Sequence, residues 1–245
     1  MGDADLQTLI AEREQGFEQL QDRVESGDVP SENRPSTLSF LSKDARWLGD
    51  LYALDGQPDA STAWFDEAAR YGLDHLRAKA DRTGEHAWES RPQQTIDLLY
   101  AAVLGRDEDR LADVVTATRA SPAPFPEQFP DAAPWYHYSR SLAGCLADEP
   151  ETTSEHRAQL AAASERHTAG FDEFFDALGG VLDGLLADDG RQLAAGIEAL
   201  IADLSDSERD PHHVRVPASA LVELGSRRGL AVDVADGHVY EHVRG

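Results

Sequence analysis

The chain has 245 residues, a formal net charge of −24 and a single cysteine, Cys145. This length fits one large domain or two small ones, and one cysteine excludes an internal disulfide and a zinc site made of cysteines. The acidity, without a basic patch, argues against nucleic-acid binding. The absence of an apolar run of about 18 residues argues against a membrane-spanning segment.

The acidity has an unusual composition. Lys43 and Lys79 are the only lysines, so arginine supplies every other basic side chain, and aspartate outnumbers glutamate. This combination is typical of proteins that work in concentrated salt, where a Debye length of about 3 Å weakens the repulsion between carboxylates. Mimicry of DNA toward a nuclease is the alternative explanation. Because the acidic N-terminus lacks the apolar core of a signal peptide, we expect a cytoplasmic protein.

Apolar residues at helical spacing predict helices along most of the chain. In the first half, the predicted helices cover residues 6–24, 37–54, 58 onward, 96–104 and 107–118. Gly56 suits the position that follows the C-terminus of the second helix. These helices form a predicted N-terminal helical half, residues 1–119.

Residues 120–134 form a proline-rich connector. Five prolines between Pro122 and Pro134 predict extended polyproline geometry rather than helix. A C-terminal helical half, residues 135–245, follows, with predicted helices over 135–146, 171–185, 193–204 and 218–228. We expect the two halves to form one compact domain.

The last residues alternate between apolar and polar side chains around Asp236-Gly237, a dipeptide typical of two-residue hairpin turns. Val234 would then face Val239 across a β-hairpin that docks on the helices. The predicted fold is therefore mainly α, with antiparallel helix pairs stacked in a solenoid-like array and a small C-terminal β-hairpin.

Residues 135–145, WYHYSRSLAGC, place a histidine, two serines and the cysteine among aromatic rings. On a helix, Cys145 lies on one apolar stripe with Tyr138 and Leu142, so we expect a core residue rather than a nucleophile. His137 and Ser139 are two residues apart and point in nearly opposite directions, so they form no dyad. We expect His137 to lie on an exposed or partner-facing side.

No sequence motif predicts catalysis, a cofactor or a metal. The HVYEH segment, residues 238–242, matches an inverted zincin pattern, but two histidines four residues apart on a predicted strand lie about 13 Å from each other. Phosphate-binding, dinucleotide-binding and G-x-S-x-G motifs are absent from the sequence. We therefore expect no enzyme. The alternative is an enzyme or metal protein whose pocket collects His75, His137 and His167.

The segment LGDLYALDGQPDASTAWFDEAA resembles a tetratricopeptide repeat, with Leu48-Gly49, Tyr52, Gly56, Phe65 and Ala68 at that repeat's spacings. This resemblance implies a closely packed antiparallel helix pair. It also implies a scaffold that binds a peptide or a partner protein.

From about residue 38 onward the chain also resembles the immunity protein 49 family of polymorphic-toxin systems. The similar segments are STAWFDEAARYGLDHLRAKA, QQTIDLLYAAVLGRDEDRLADV and the ending ASALVELGSRRGLAVDV. This resemblance implies an all-helical protein that neutralises a toxin by binding it, without catalysis. The expected partner is thus a protein, possibly a cognate toxin, with no nucleic acid and no membrane.

Binding to a protein needs a rigid surface with aromatic and arginine side chains. Tyr136, His137 and Arg140, beside the proline-rich connector, are the predicted partner-binding residues. Trp88, in the polar segment TGEHAWESRP, is a further candidate.

Overall fold

The computed structural model describes residues 3–80, 91–120, 125–166, 172–206, 212–234 and 237–243, and these ranges contain helices but no strand. The first six helices are α1 (Asp3–Glu25), α2 (Arg34–Leu54), α3 (Pro58–Ala80), α4 (Arg91–Gly105), α5 (Glu108–Arg119) and the short α6 (Phe125–Gln128). The next five are α7 (Ala133–Leu146), α8 (Pro150–Ser164), α9 (Asp172–Leu186), α10 (Gly190–Asp206) and α11 (His212–Arg227). Single 3-10 turns cover Pro130–Ala132 and Glu241–Val243. The predicted mainly helical fold is confirmed.

Three helix pairs close with the same turn. Each turn contains one residue in the left-handed conformation: Gly56 (φ 72°), Asp148 (φ 55°) and Asp188 (φ 48°). The amide of that residue donates to the carbonyl three residues back, and the next amide donates to the carbonyl five residues back. These bonds satisfy carbonyls at the end of the first helix. The short turns make α2–α3, α7–α8 and α9–α10 antiparallel hairpins.

Small residues let the helices of each hairpin approach closely. The Ser61 hydroxyl donates to the Gly49 carbonyl at 2.8 Å, and a Cβ on Gly49 would lie 2.9 Å from the Phe65 ring. In the third hairpin, a Cβ on Gly184 would collide with the backbone of Leu193. Glycine and serine therefore set the helix separation in these pairs, as the resemblance to a helix-pair repeat implies for α2–α3.

Helices that are neighbours in the chain also pack against one another, from α1 to α5 and from α7 to α11. The last helix returns to the first half, since α11 packs against α4 and also contacts α2. Most of the buried apolar residues in the described ranges form one cluster that runs from Leu6 to Val243, and Phe125, Ala132 and Tyr136 form a second, smaller one. The stack of helix pairs is thus closed by α11 rather than left open.

The extended geometry predicted for the connector is wrong over residues 125–134. Phe125–Gln128 is helical, Pro130–Ala132 is a 3-10 turn, and α7 begins at Ala133. Proline is tolerated in the first turn of a helix, where its missing N–H has no intrahelical acceptor. Pro126, Pro130 and Pro134 each occupy such a position. Residues 121–124 lie outside the described residues.

The predicted C-terminal β-hairpin is also wrong, although Asp236 itself lies outside the described residues. The backbone of the tail is bound to α11 instead of to a second strand. The Tyr240 amide donates to the Ser219 hydroxyl at 3.0 Å, and the Leu230 amide donates to the Gly225 carbonyl at 3.0 Å. The apolar side chains still dock on the helices, since Val234, Val239 and Val243 are buried.

Candidate binding cleft

Helix α7 is buried on nearly every side. It packs against α4, α5, α6, α8 and α9, and its buried residues include the polar side chains Ser139 and Ser141 as well as Tyr138 and Leu142. The Ser139 hydroxyl donates to the Tyr136 carbonyl at 2.9 Å, so burial leaves it satisfied. A helix packed on so many sides lacks the broad polar, solvent-facing surface of an ordinary amphipathic helix.

One face of α7 opens into a cleft of about 730 Å³ between α8 and the α6 segment. The side chains of Tyr136, His137 and Arg140 form its α7 wall. The opposite wall belongs to α8 and the residues just after it, and its polar members are Glu155, His156, Gln159 and Arg166. Glu127 and Asp131 lie at the α6 end.

His137 and His156 are in direct contact across the cleft wall, with their Nδ1 atoms 3.1 Å apart. A hydrogen bond at this distance requires one Nδ1 to carry a proton and the other to accept it. Two Nδ1–H groups cannot face each other in this contact, so the pair holds at most one positive charge. Burial lowers the pKa of His137 from 6.5 to about 4, and the charges of His156, Arg166 and Arg140 act in the same direction. Burial and Arg140 also lower the pKa of His156.

Arg140 and Arg166 form no ion pair with any described residue, whereas most other described arginines do. The Arg140 guanidinium carbon lies 5.6 Å from the centre of the Tyr136 ring. Its Nη1 is buried and has no hydrogen-bond acceptor in the described ranges. A buried guanidinium N–H without an acceptor costs free energy. A ligand that places an acceptor beside this nitrogen would remove that cost.

The structure brings three of the four predicted partner-binding residues together in this cleft. Tyr136, His137 and Arg140 share it, but Tyr136 and His137 are buried, so of the exposed or partner-facing side expected for His137 the exposed alternative is wrong. The reason is that α7 is a central helix. Arg140 is half-buried, and Trp88 lies outside the described residues.

Sequence reasoning missed His156 as the partner of His137. The two residues lie on adjacent helices of one hairpin, and the Ser141 hydroxyl, which donates to the Thr153 carbonyl at 3.0 Å, marks the register of that hairpin. His137 and His156 lie one helical turn farther from the connecting turn than Ser141 and Thr153 do. Placement of that turn at residues 147–149 would have predicted the contact.

Cys145 is buried, as its position on the apolar stripe predicts. Burial raises the pKa of its thiol to about 11, despite a hydrogen bond with Thr153. A thiol with such a pKa is protonated at neutral pH and is a poor nucleophile.

A buried charged cluster joins distant parts of the chain at α2. The Asp50 carboxylate is fully buried and accepts two hydrogen bonds from Arg215, of which the Nε bond is 2.7 Å long. The Tyr240 hydroxyl donates to Asp50 at 2.8 Å. His212 Nδ1 lies 3.4 Å from Asp50, and its ring stacks on Trp47 with centroids 4.4 Å apart. Asp50, His212 and Tyr240 are buried, and the cluster links α2 to α11 and to the segment that follows it.

The electrostatics of this cluster favour a charged Asp50. Burial alone would raise the pKa of Asp50, but hydrogen bonds and charges from Arg215 and His212 lower it to about 2. Burial lowers the pKa of His212, with Asp50 opposing the shift. The carboxylate of Asp50 is therefore ionised inside the protein and depends on its donors.

A second cavity, of about 400 Å³, is mainly apolar and lies where α4, α7, α9, α10 and α11 meet. The hydroxyls of Tyr100 and Tyr138 are hydrogen-bonded to each other at 2.8 Å, and both side chains line it. These two hydroxyls are thus paired with each other.

The histidines considered for a catalytic or metal pocket do not all converge. His75 lies against a small cavity of about 50 Å³, with its Nδ1 2.7 Å from the Pro35 carbonyl, while His137 lies in the cleft. His167 is outside the described residues. Within the described ranges, no group of three or more metal-ligating side chains is placed to hold a metal ion.

Comparisons with known proteins find no match for this chain. No protein-family model matches the chain, and no curated protein and no solved structure matches it. In the described ranges, no helix has both the length and the apolar character needed to cross a bilayer.

Proposed function

We propose that this protein is a non-catalytic binding protein of the immunity type, which neutralises a toxin by sequestering it. The observation that carries the proposal is the unsatisfied Nη1 of Arg140 inside the cleft. Arginine and tyrosine are enriched among residues that dominate protein interfaces, and here they lie side by side on a central helix.

The cleft is suited to a partner protein because its walls are rigid. Tyr136 is buried and stacks on Phe125 with centroids 5.3 Å apart. Helix α8 is fixed to α9 by Arg157, which donates to Asp183 at 2.9 Å and 2.8 Å. A surface that is already ordered loses little conformational entropy on binding. A side chain from the partner would supply the missing acceptor for Arg140.

The charge of the whole chain favours a partner with a basic surface. With a net charge of −24, the protein attracts cationic proteins over distances set by the salt concentration. A toxin that acts on nucleic acid would have such a surface. The partner class is therefore a protein, and neither nucleic acid nor a membrane is part of the proposal.

Affinity capture at high salt tests this function. The tagged protein is incubated with extract of its source cells, and the variant Arg140→Gln is compared with the control Arg119→Gln. Arg119 lies outside the cleft and forms an ion pair with Glu149, with an N–O distance of 2.6 Å. We expect one stoichiometric partner with the wild type and the control, and loss of it with Arg140→Gln. The partner should be toxic when it is expressed alone and harmless when the two proteins are expressed together.

Two results would contradict the proposal. A partner retained by Arg140→Gln would exclude the cleft as the contact. A single partner that is not toxic would exclude the immunity function while leaving binding intact.

The second candidate is a tetratricopeptide-like scaffold that holds a peptide or partner protein. The observation that favours it is the repeated turn at Gly56, Asp148 and Asp188, which gives three helix pairs of one geometry. Capture of several unrelated partners, with equal amounts in wild type and Arg140→Gln, would favour this scaffold over the immunity protein.

A further inference from the structure

We propose that the cleft binds a carboxylate monoanion, held by Arg140 and by one proton shared between His137 and His156. This inference rests on the proposed function in one respect, because the carboxylate is taken to belong to the partner protein. A small carboxylic acid would present the same chemistry.

The geometry of the cleft favours an anion. Arg140 and Arg166 are permanent cations without ion-pair partners among the described residues, and the Nη1 of Arg140 lacks an acceptor. A carboxylate can accept from a guanidinium through both of its oxygens. The histidine pair, His137 from α7 and His156 from α8, lines the same cleft and can add one further N–H donor when it takes up a proton.

The charges around the histidine pair decide which anion fits. Arg140 faces the pair from α7 and Arg166 from the end of α8, whereas Glu155 on α8, Glu127 on α6 and Asp131 in the 3-10 turn contribute three carboxylates to the cleft. Two permanent cations against three carboxylates leave one excess negative charge, which the shared proton of the histidine pair would neutralise. A monoanion is therefore favoured over a dianion such as phosphate, because each added negative charge increases the repulsion.

Anion binding and proton uptake must be linked. Without a ligand, burial and neighbouring cations hold the pKa of His137 at about 4, so the pair is neutral at pH 7. A bound anion favours the charged form and raises the pKa of the pair. By reciprocity, affinity for the anion increases as the pH falls from 7.5 to 5.5, by at most about tenfold per pH unit for one proton.

The test uses sodium acetate as the probe and the full chain as the sample. Histidine ring signals are followed by NMR during acetate titrations at pH 7.5 and 5.5, with chloride and ionic strength held constant. We expect saturable shifts for the His137–His156 pair, tighter binding at pH 5.5, and affinity weakened about tenfold or more in Arg140→Gln. Arg119→Gln should behave as the wild type. His156→Asn should bind acetate with little change between the two pH values.

Three outcomes would overturn the inference. Saturation by inorganic phosphate but not by acetate would reject the carboxylate. Equal acetate affinity at both pH values would reject the shared proton. The absence of a saturable shift with either anion would reject the site.

A competition arm separates this inference from the proposed function. Acetate that displaces the captured partner from the wild type shows that the partner supplies the carboxylate. Acetate that binds without displacing it assigns the cleft to a small carboxylic acid, which leaves the site intact and removes it from the partner interface.

Discussion

Asp50 shows how much a single buried carboxylate can depend on distant donors. Its two bonds from Arg215 span 165 positions in the chain, and its bond from Tyr240 spans 190. Removal of one partner of a buried ion pair leaves an uncompensated charge, whereas removal of both is far less costly.

We predict that Arg215→Met lowers the free energy of unfolding by about 3–5 kcal/mol. Asp50→Asn combined with Arg215→Met should recover part of that loss, because the buried charge is gone. Denaturant unfolding of both single variants and the double variant at constant salt measures the coupling. Additive losses, within about 0.5 kcal/mol, would show that the pair contributes nothing as a unit.

The Asp50–Arg215 pair also predicts that the free energy of unfolding decreases in acid. The folded pKa of Asp50, about 2, lies below its ordinary value of 3.8. The stabilisation is therefore complete above pH 3.8 and is lost as the pH falls toward 2. Asp50→Asn should remove this part of the pH dependence of unfolding.

Cys145 should react slowly with thiol reagents in the folded protein. Its thiol is buried, and a pKa of about 11 leaves roughly a hundredfold less thiolate at pH 8 than an ordinary thiol has. Labelling at pH 8 should become fast only in denaturant. Fast labelling of the native chain would place Cys145 at an accessible, reactive position.

For single residues, the sequence predicts burial correctly where the surroundings of the residue are set by its own helix. Cys145 lies on a stripe read from its own helix, so its burial is confirmed. The exposed side considered for His137 is wrong, because the exposure of a residue on α7 depends on how many helices surround it. The Asp50–Arg215 contact has no local pattern at all and arises only when α11 returns to α2.

Among the helices, the close approach of α9 and α10 depends on glycine. We predict that Gly184→Ala destabilises the protein by about 1–3 kcal/mol, because the new Cβ would collide with the Leu193 backbone. The control is Gly16→Ala in α1, where no atom lies within 4 Å of the added Cβ. This control should stabilise by about 0.5–1 kcal/mol through helix propensity. Thermal unfolding of both variants measures the difference, and equal effects would contradict the packing explanation.

The elements themselves were predictable where apolar periodicity is strong. The long helices follow from spacing in their own sequences, and Gly56 ends α2 as expected. The β-hairpin prediction is wrong because alternating apolar side chains can also dock on helices from an irregular tail, in which the consecutive residues Val239 and Tyr240 are both buried. Bonds to α11, such as Tyr240 to Ser219, replace the second strand. The connector prediction is wrong because a proline in the first turn of a helix does not oppose helix formation.

The molecule as a whole carries far more carboxylates than basic side chains. We predict that its melting temperature rises between 0.2 and 2 M KCl, roughly the range in which the Debye length falls below that of physiological salt. The matched control replaces the exposed Glu12, Glu18 and Asp22 of α1 by their amides, which removes three negative charges. This variant should melt higher than the wild type at low salt and depend less on KCl. A melting temperature independent of KCl would reject adaptation to salt.

The buried histidines predict that the stability of the protein also depends on pH. Burial lowers the pKa of five histidines, namely His75, His137, His156, His212 and His242. Each folded pKa lies below the unfolded value of about 6.5, so the unfolded chain binds protons first as the pH falls. Stability should be complete above pH 6.5 and decrease toward pH 5. Denaturant unfolding between pH 8 and 5 measures the slope.

One matched pair of variants checks the origin of this slope. His156→Gln should reduce it, whereas His213→Gln, which changes an exposed ring, should leave it unchanged. Stability that is flat between pH 7 and 5 would contradict the prediction.

The contact between Asp50 and residues 215 and 240 has a consequence for synthesis on the ribosome. Asp50 leaves the exit tunnel long before its donors are translated, so the nascent first half must keep that carboxylate hydrated. Its helices can form early, but the interior around Asp50 cannot close until α11 and the tail have emerged. Residues translated long after the first helices therefore complete the core around Asp50.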